Sequence, residues 1–155
     1  MRLKIVLPFV LFGTLFASCK KERSLQEQMT NSWETTYLKI DMPTYLKSDS
    51  TNVYEDKFLN NPERRAQSSY NNDGTFSAWF VDRNDKRLGE ESIGKWSIEG
   101  DSLLIEYFYG GREVKVGYHI QITEEGFVGT SKYDWDEDGE FDDMLVMKTK
   151  KLDQE

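Results

Sequence analysis

The stretch Glu113-Val114-Lys115-Val116-Gly117-Tyr118-His119-Ile120-Gln121-Ile122-Thr123 alternates apolar and polar residues without a break. In an extended chain successive side chains point to opposite faces. Val114, Val116, Tyr118, Ile120 and Ile122 therefore share one face, and Lys115, Gly117, His119 and Gln121 share the other. A half-buried strand has this pattern, whereas a helix would scatter the same residues around its circumference. Upstream, Gly110-Gly111 supplies a tight turn. Before it, Leu103, Ile105, Tyr107 and Tyr109 alternate with Leu104, Glu106 and Phe108, a strand apolar on much of both faces. Downstream, Glu124-Glu125-Gly126 turns the chain into another run at 127–133. Further out, Asn71-Asn72-Asp73-Gly74, Glu99-Gly100-Asp101 and Glu137-Asp138-Gly139 are turns in which Gly, Asn or Asp accommodates φ > 0. Runs at 32–40, 65–71, 75–82, 91–98 and 143–151 complete eight strand candidates. Eight strands joined by consecutive hairpins predict an all-β, antiparallel, up-and-down eight-stranded barrel. Closure hides the sheet edges, and the interior holds side chains or one small ligand. The polar stretch Asp41–Pro62 departs from the pattern. It carries Pro43 and Pro62, predicts a short helix around Val53–Leu59, and is long enough to lie across a barrel mouth.

The N-terminus reads differently. Arg2 and Lys4 precede an apolar run from Ile5 to Phe16, which ends in Phe16-Ala17-Ser18-Cys19. The run is interrupted by Pro8 and Gly13 and falls short of the roughly 20 apolar residues that span a bilayer. A basic start, a short apolar stretch and small residues before a cysteine resemble the signal and lipobox of bacterial lipoproteins, with Phe16 where most carry Leu. The resemblance implies removal of residues 1–18 and acylation of Cys19, by palmitate among other chains, in the envelope of a Gram-negative bacterium. Lys20, rather than an Asp, follows the cysteine, which by the family's sorting rule implies the outer membrane, and the lack of an acidic run after it implies the periplasmic leaflet. Residues 19–28 then form a lipidated tether ending in a helical turn around Ser24–Met29, with a reach of roughly 30 Å when extended. Residues 29–153 form the barrel domain.

This organisation excludes several functions. The one cysteine would carry lipid, which leaves none for a disulfide, a zinc site or a nucleophile. Without Arg2 and Lys4 the chain keeps 18 basic against 28 acidic side chains, a net of −10. Such a surface repels nucleic-acid phosphates and anionic headgroups, so the lipid and not the charge would hold the protein at a membrane.

A second resemblance rests on Trp33 at the first strand, Asn72-Asp73-Gly74-Thr75-Phe76 opening another, and Gly94-Lys95-Trp96-Ser97-Ile98 followed by Gly100-Asp101-Ser102-Leu103-Leu104-Ile105. In that order these segments are similar to the lipocalin-like domains of small bacterial lipoproteins, over about Gln28–Leu152. Asn31 stands where Gly would precede the first tryptophan by two, and no cysteine pair closes the barrel. The resemblance implies a calyx for a small hydrophobic or amphipathic ligand, or a barrel with a filled core used for structure or protein contact. Fold alone does not choose between these two.

Candidate sites follow from residue chemistry. Leu103, Ile105, Tyr107, Val114, Val116, Tyr118 and Ile120 are the expected inward residues that would line a ligand cavity. The strand aromatics Trp33, Trp79, Trp96, Tyr107, Phe108, Tyr109, Tyr118, Phe127 and Tyr133 would either fill the barrel or wall that cavity. The stretch from Asp134 to Asp143 packs seven carboxylates into ten residues. Asp134, Asp136 and Asp138 followed by Gly139 match the first half of an EF-hand-like Ca²⁺ loop, with Glu140 at the carbonyl position. Leu145 occupies the twelfth place, where such loops carry a bidentate Glu, so Asp142 or Asp143 would have to close a shorter cage. The other reading is an acidic hairpin turn with solvated charges. His119 lies on the outward face without a nucleophile or partner pattern, and no serine or threonine sits in a nucleophile elbow. The sequence thus points to a non-enzyme.

Overall fold

A computed structural model describes residues 23–152. Cys19, the signal segment and the first residues of the tether lie outside them. Nine strands form one antiparallel sheet: β1 Ser32–Met42, β2 Asn52–Asp56, β3 Arg65–Tyr70, β4 Thr75–Val81, β5 Arg87–Glu99, β6 Ser102–Tyr109, β7 Arg112–Ile122, β8 Phe127–Tyr133 and β9 Asp143–Lys151. From β3 to β9 each strand pairs with the next, and β1 closes the barrel between β3 and β9. All eight expected strands are present, and the eight-stranded up-and-down barrel is closed.

The ninth strand corrects the reading of Asp41–Pro62. Instead of a helix around Val53–Leu59, residues Asn52–Asp56 pair with β1 from Leu38↔Asp56 to Met42↔Asn52, and the helical character of the stretch is limited to 3₁₀ turns at Tyr45–Lys47 and Phe58–Asn60. Unsatisfied backbone is the reason. β3 covers only Ser32–Glu34 of β1, which leaves the N–H and C=O groups of Leu38–Met42 without partners on that side. The β-favouring pair Val53-Tyr54 supplies them. On its other side β1 pairs with β9 from Trp33↔Lys151 to Asp41↔Met144, around a bulge between Thr35 and Tyr37.

The helical turn expected around Ser24–Met29 is present. Helix α1, Leu25–Met29, is started by a capping box in which Ser24 accepts from the Glu27 N–H and Glu27 reaches back to the Ser24 N–H. Met29 is fully buried, Leu25 packs on the core, and Trp33 Nε1 donates to the Met29 carbonyl at 3.1 Å. Because the strands alternate in direction, α1 and the turns at 71–74, 100–101 and 123–126 lie at one end, which α1 plugs. The connections at 43–51, 57–64, 82–86, 110–111 and 134–142 lie at the other.

The motif glycine Gly94 has a steric purpose. A Cβ there would fall 2.1 Å from the Glu106 carbonyl oxygen and 2.7 Å from the Tyr107 Cβ, so only glycine lets β5 cross β6 this closely. Just beyond it, Trp96 turns into the core, where its ring lies edge-on to Tyr70 at 5.4 Å.

Candidate functional sites: the barrel interior and the acidic hairpin

β7 presents its faces as its alternation requires. Val114, Val116, Tyr118 and Ile120 are buried, while Lys115, Gly117, His119 and Gln121 are exposed. Ile122, on the same face, emerges at the plugged end and is 36 % exposed. Register pairs Leu103 with Tyr118, Ile105 with Val116 and Tyr107 with Val114, so the seven expected cavity residues do converge. They converge on one another: six are buried members of a single hydrophobic cluster with Trp33, Trp96 and Phe127, and Tyr107 packs against it. Recesses of about 130 and 190 Å³ lie elsewhere, the first around Trp33, Ile122 and Gly126, the second around Glu34, Phe58 and Arg65. None of the seven lines either. Burial raises the Tyr70 and Tyr118 hydroxyls well above the ordinary phenol value and pushes Tyr107 up to about 12, so the interior phenols stay neutral.

The strand aromatics divide. Trp33, Trp96, Tyr118 and Phe127 are buried, and Tyr107 and Tyr133 are half-buried. Three others are not interior residues: Phe108 and Tyr109 are 62 % and 53 % exposed, and Trp79 donates to Gln67 while the Arg87 guanidinium lies 4.3 Å from its ring centroid. Phe108 follows from strand geometry, since its neighbour Tyr107 points inward.

The acidic hairpin folds around its own backbone. Asp134 Oδ1 and Oδ2 accept from the Asp138 and Gly139 N–H groups at 3.0 and 3.1 Å, and Asp138 Oδ1 accepts from the Glu140 N–H at 2.7 Å. Glu137 at φ 65° and Gly139 at φ 93° complete the turn. This brings carboxylate oxygens of Asp134, Asp136 and Asp138 within 4.8 Å of one another, and these three could hold a cation. The other expected ligands do not join them. Glu140 accepts from Thr44 Oγ1 at 3.3 Å, and Asp142 lies outside the group of three. Asp143, almost fully buried, accepts from the Trp135 and Asp136 N–H groups at 2.6 and 3.2 Å, so it anchors the base of the hairpin. Burial raises the Asp143 carboxyl, those two donors lower it in part, and the nearby charges of Asp136 and Asp142 raise it further. Thr44 also donates to Asp138, and the Leu46 N–H donates to Asp136 Oδ2 at 2.9 Å, which ties the connection after β1 to this hairpin.

A buried charge cluster was not visible in the sequence. Glu34, 3 % exposed, is the cross-strand neighbour of Gln67 on β3 and Lys150 on β9. Its Oε2 accepts from Arg65 and Gln67, each at 3.0 Å, and its Oε1 lies 3.0 Å from Lys150 Nζ. Arg65 also pairs with Asp85 and donates to the Asp82 carbonyl. Burial alone would raise the Glu34 carboxyl, but the Gln67 and Lys150 hydrogen bonds and the charges of Lys150 and Arg65 outweigh it and hold the group below its usual range. The partners come from separate strands, so the only local signal was a Glu beside Trp33. His119, expected on the surface, is exposed and pairs with Asp101 at 3.1 Å.

Comparison with known proteins adds no relative: no protein-family model matches the chain, and no curated protein matches it.

Proposed function

We propose that the chain is a non-catalytic, lipid-anchored envelope protein whose lipocalin-like barrel has a filled core and works by contact through its outer surface. The observation that carries this reading is the packing of Leu103, Ile105, Tyr107, Val114, Val116, Tyr118 and Ile120 into one cluster, with the recesses at Trp33 and at Glu34 lying apart from them. A pocket for a drug-sized ligand occupies roughly 300–1,000 Å³, more than either recess offers. The calyx reading would require those core side chains to part. Acylation at Cys19 would hold the protein in the outer membrane facing the periplasm, and Asp134, Asp136 and Asp138 would take a Ca²⁺ ion as a stiffener of the hairpin rather than as a reagent.

Two measurements test this. Cys19→Ser should move the protein from the membrane fraction to the soluble fraction, and a variant that stays fully membrane-bound removes the anchor from the account. The naphthylamine dye N-phenyl-1-naphthylamine, which fluoresces in apolar cavities, should show no saturable uptake by the folded barrel. Stoichiometric uptake displaced by a fatty acid would return the ligand-binding reading.

A further inference from the structure

The end of the barrel opposite α1 displays apolar side chains that folding does not bury. Tyr109 and Phe141 are 53 % and 64 % exposed, and Leu46 is 61 % exposed. They belong to one connected rim. Phe141 packs edge-on against Tyr133 with ring centroids 5.6 Å apart, the Arg112 guanidinium lies 5.9 Å from the Tyr133 ring centroid, and Arg112 is the cross-strand partner of Tyr109. On the far side of the hairpin, the Leu46 N–H bonds Asp136. Leu46 sits at φ 52°, ψ 44°, a left-handed conformation that is unfavourable for a bulky residue. The monomer thus holds an aliphatic side chain out in water, in a strained conformation, without burying it.

Single exposed apolar residues are ordinary, and such a rim gains meaning only with its charge. Of the seven carboxylates of 134–143, Asp134, Asp138 and Asp143 are buried and accept from backbone N–H groups, while Asp136, Glu137, Glu140 and Asp142 reach the surface beside these side chains, and among the described residues their ion pairs reduce to one, Arg112 with Glu137 at 3.1 Å. That arginine shows how the rim takes a cation, with a carboxylate at its guanidinium and an aromatic ring beside it. An anionic lipid surface or a nucleic acid would be repelled, and a neutral apolar partner would leave Glu140 and Asp142 uncompensated.

We propose that this rim docks a basic segment of a partner protein, with apolar side chains between its Lys or Arg residues. The cations would sit at Glu140 and Asp142, outside the Asp134, Asp136 and Asp138 group, and the apolar side chains on Phe141, Tyr109 and Leu46. The proposal rests on the reading that the protein works through its outer surface, and it names where and with what chemistry.

The test uses the full-length protein in non-ionic detergent, with empty micelles as the blank. A fluorescently labelled synthetic peptide alternating Arg and Leu should bind saturably. An Arg/Ser peptide and a Glu/Leu peptide should bind far more weakly. Tyr109→Ser with Phe141→Ser, both exposed and tolerable to the fold, should weaken binding about tenfold or more, the loss expected when anchoring side chains at a contact are truncated. Glu140→Gln with Asp142→Asn should weaken it and flatten its salt dependence. Glu124→Gln with Glu125→Gln removes the same charge at the plugged end and should leave affinity unchanged. No saturable binding, equal binding of the Arg/Ser peptide, or equal weakening by the Glu124/Glu125 variant would overturn the proposal, the last by showing diffuse attraction to an acidic protein. Such a failure leaves the filled-core reading standing, because that reading falls only on dye uptake.

Discussion

Glu34 places the heaviest electrostatic demand on the fold at the scale of single residues. A carboxylate 4 % exposed at its side chain holds two cations and an amide, and its removal would strand Arg65 and Lys150 without their shared counter-ion. Glu34→Gln should therefore lower stability by roughly 3 kcal/mol at neutral pH, the usual loss when one partner of a buried pair is removed. Denaturant unfolding measures it. The pH dependence has a defined sign. The Glu34 carboxyl is lowered from 4.5 in the folded protein, so its contribution is fully present above 4.5 and is lost as pH falls through the folded value. The gap between parent and Glu34→Gln should accordingly narrow below that pH. A gap that stays constant into acid would mean that Glu34 acts through packing rather than charge. Nothing local in the sequence marks this residue, because its three side-chain partners reach it only once β1, β3 and β9 lie side by side.

At the scale of elements, β7 and the hairpin after β8 were legible to different depths. The β7 register followed from alternation alone. Tyr118 is 6 % exposed and packs in the core, whereas the His119 side chain is 61 % exposed. Tyr118→Asp should cost several kcal/mol or prevent folding, since it buries an unpaired carboxylate. His119→Asp should cost under about 1 kcal/mol, as surface changes do. Thermal melts of the two variants compare them, and equal losses would put the strand in the wrong register. In the hairpin, spacing alone brought out Asp134, Asp136 and Asp138, since carboxylates on alternate residues before a Gly can curl around one point. Spacing could not show that Asp143 would be consumed by the Trp135 and Asp136 N–H groups, or that Thr44 and Leu46 would contact the loop, because those depend on how β9 leaves and β1 arrives. Millimolar Ca²⁺ should raise the melting temperature, and Mg²⁺ should do so less, because its tighter octahedral shell suits an irregular cage poorly. Asp136→Asn combined with Asp138→Asn should abolish the Ca²⁺ gain while changing metal-free stability by less than about 1 kcal/mol. No thermal shift and no heat on Ca²⁺ titration would leave the hairpin as a solvated turn.

At the scale of the whole molecule, closure by β1 sets the hierarchy of stability. β1 pairs with β9 along almost its full length and lends its remaining edge to β2, whose own outer edge has no strand partner among the described residues. Native-state hydrogen exchange should find β1, β6, β7 and β9 opening only with global unfolding, and β2 opening first and locally. Early exchange across β1 and β9 would mean that the seam is not closed in solution. Period-two alternation and turn residues were enough, in the sequence alone, to define eight strands, their order, the inward face of β7 and the hairpin character of the fold, because each of these is encoded within a few residues of chain. Only the tertiary structure decided the rest. β1 meets β9, β2 replaces an expected helix, Glu34 finds its cations, and the inward residues of β6 and β7 pack on one another. Each of these depends on strand edges and side-chain volumes contributed by segments far apart in the chain, and a local pattern carries no record of which distant groups will meet or how completely they fill the space between them.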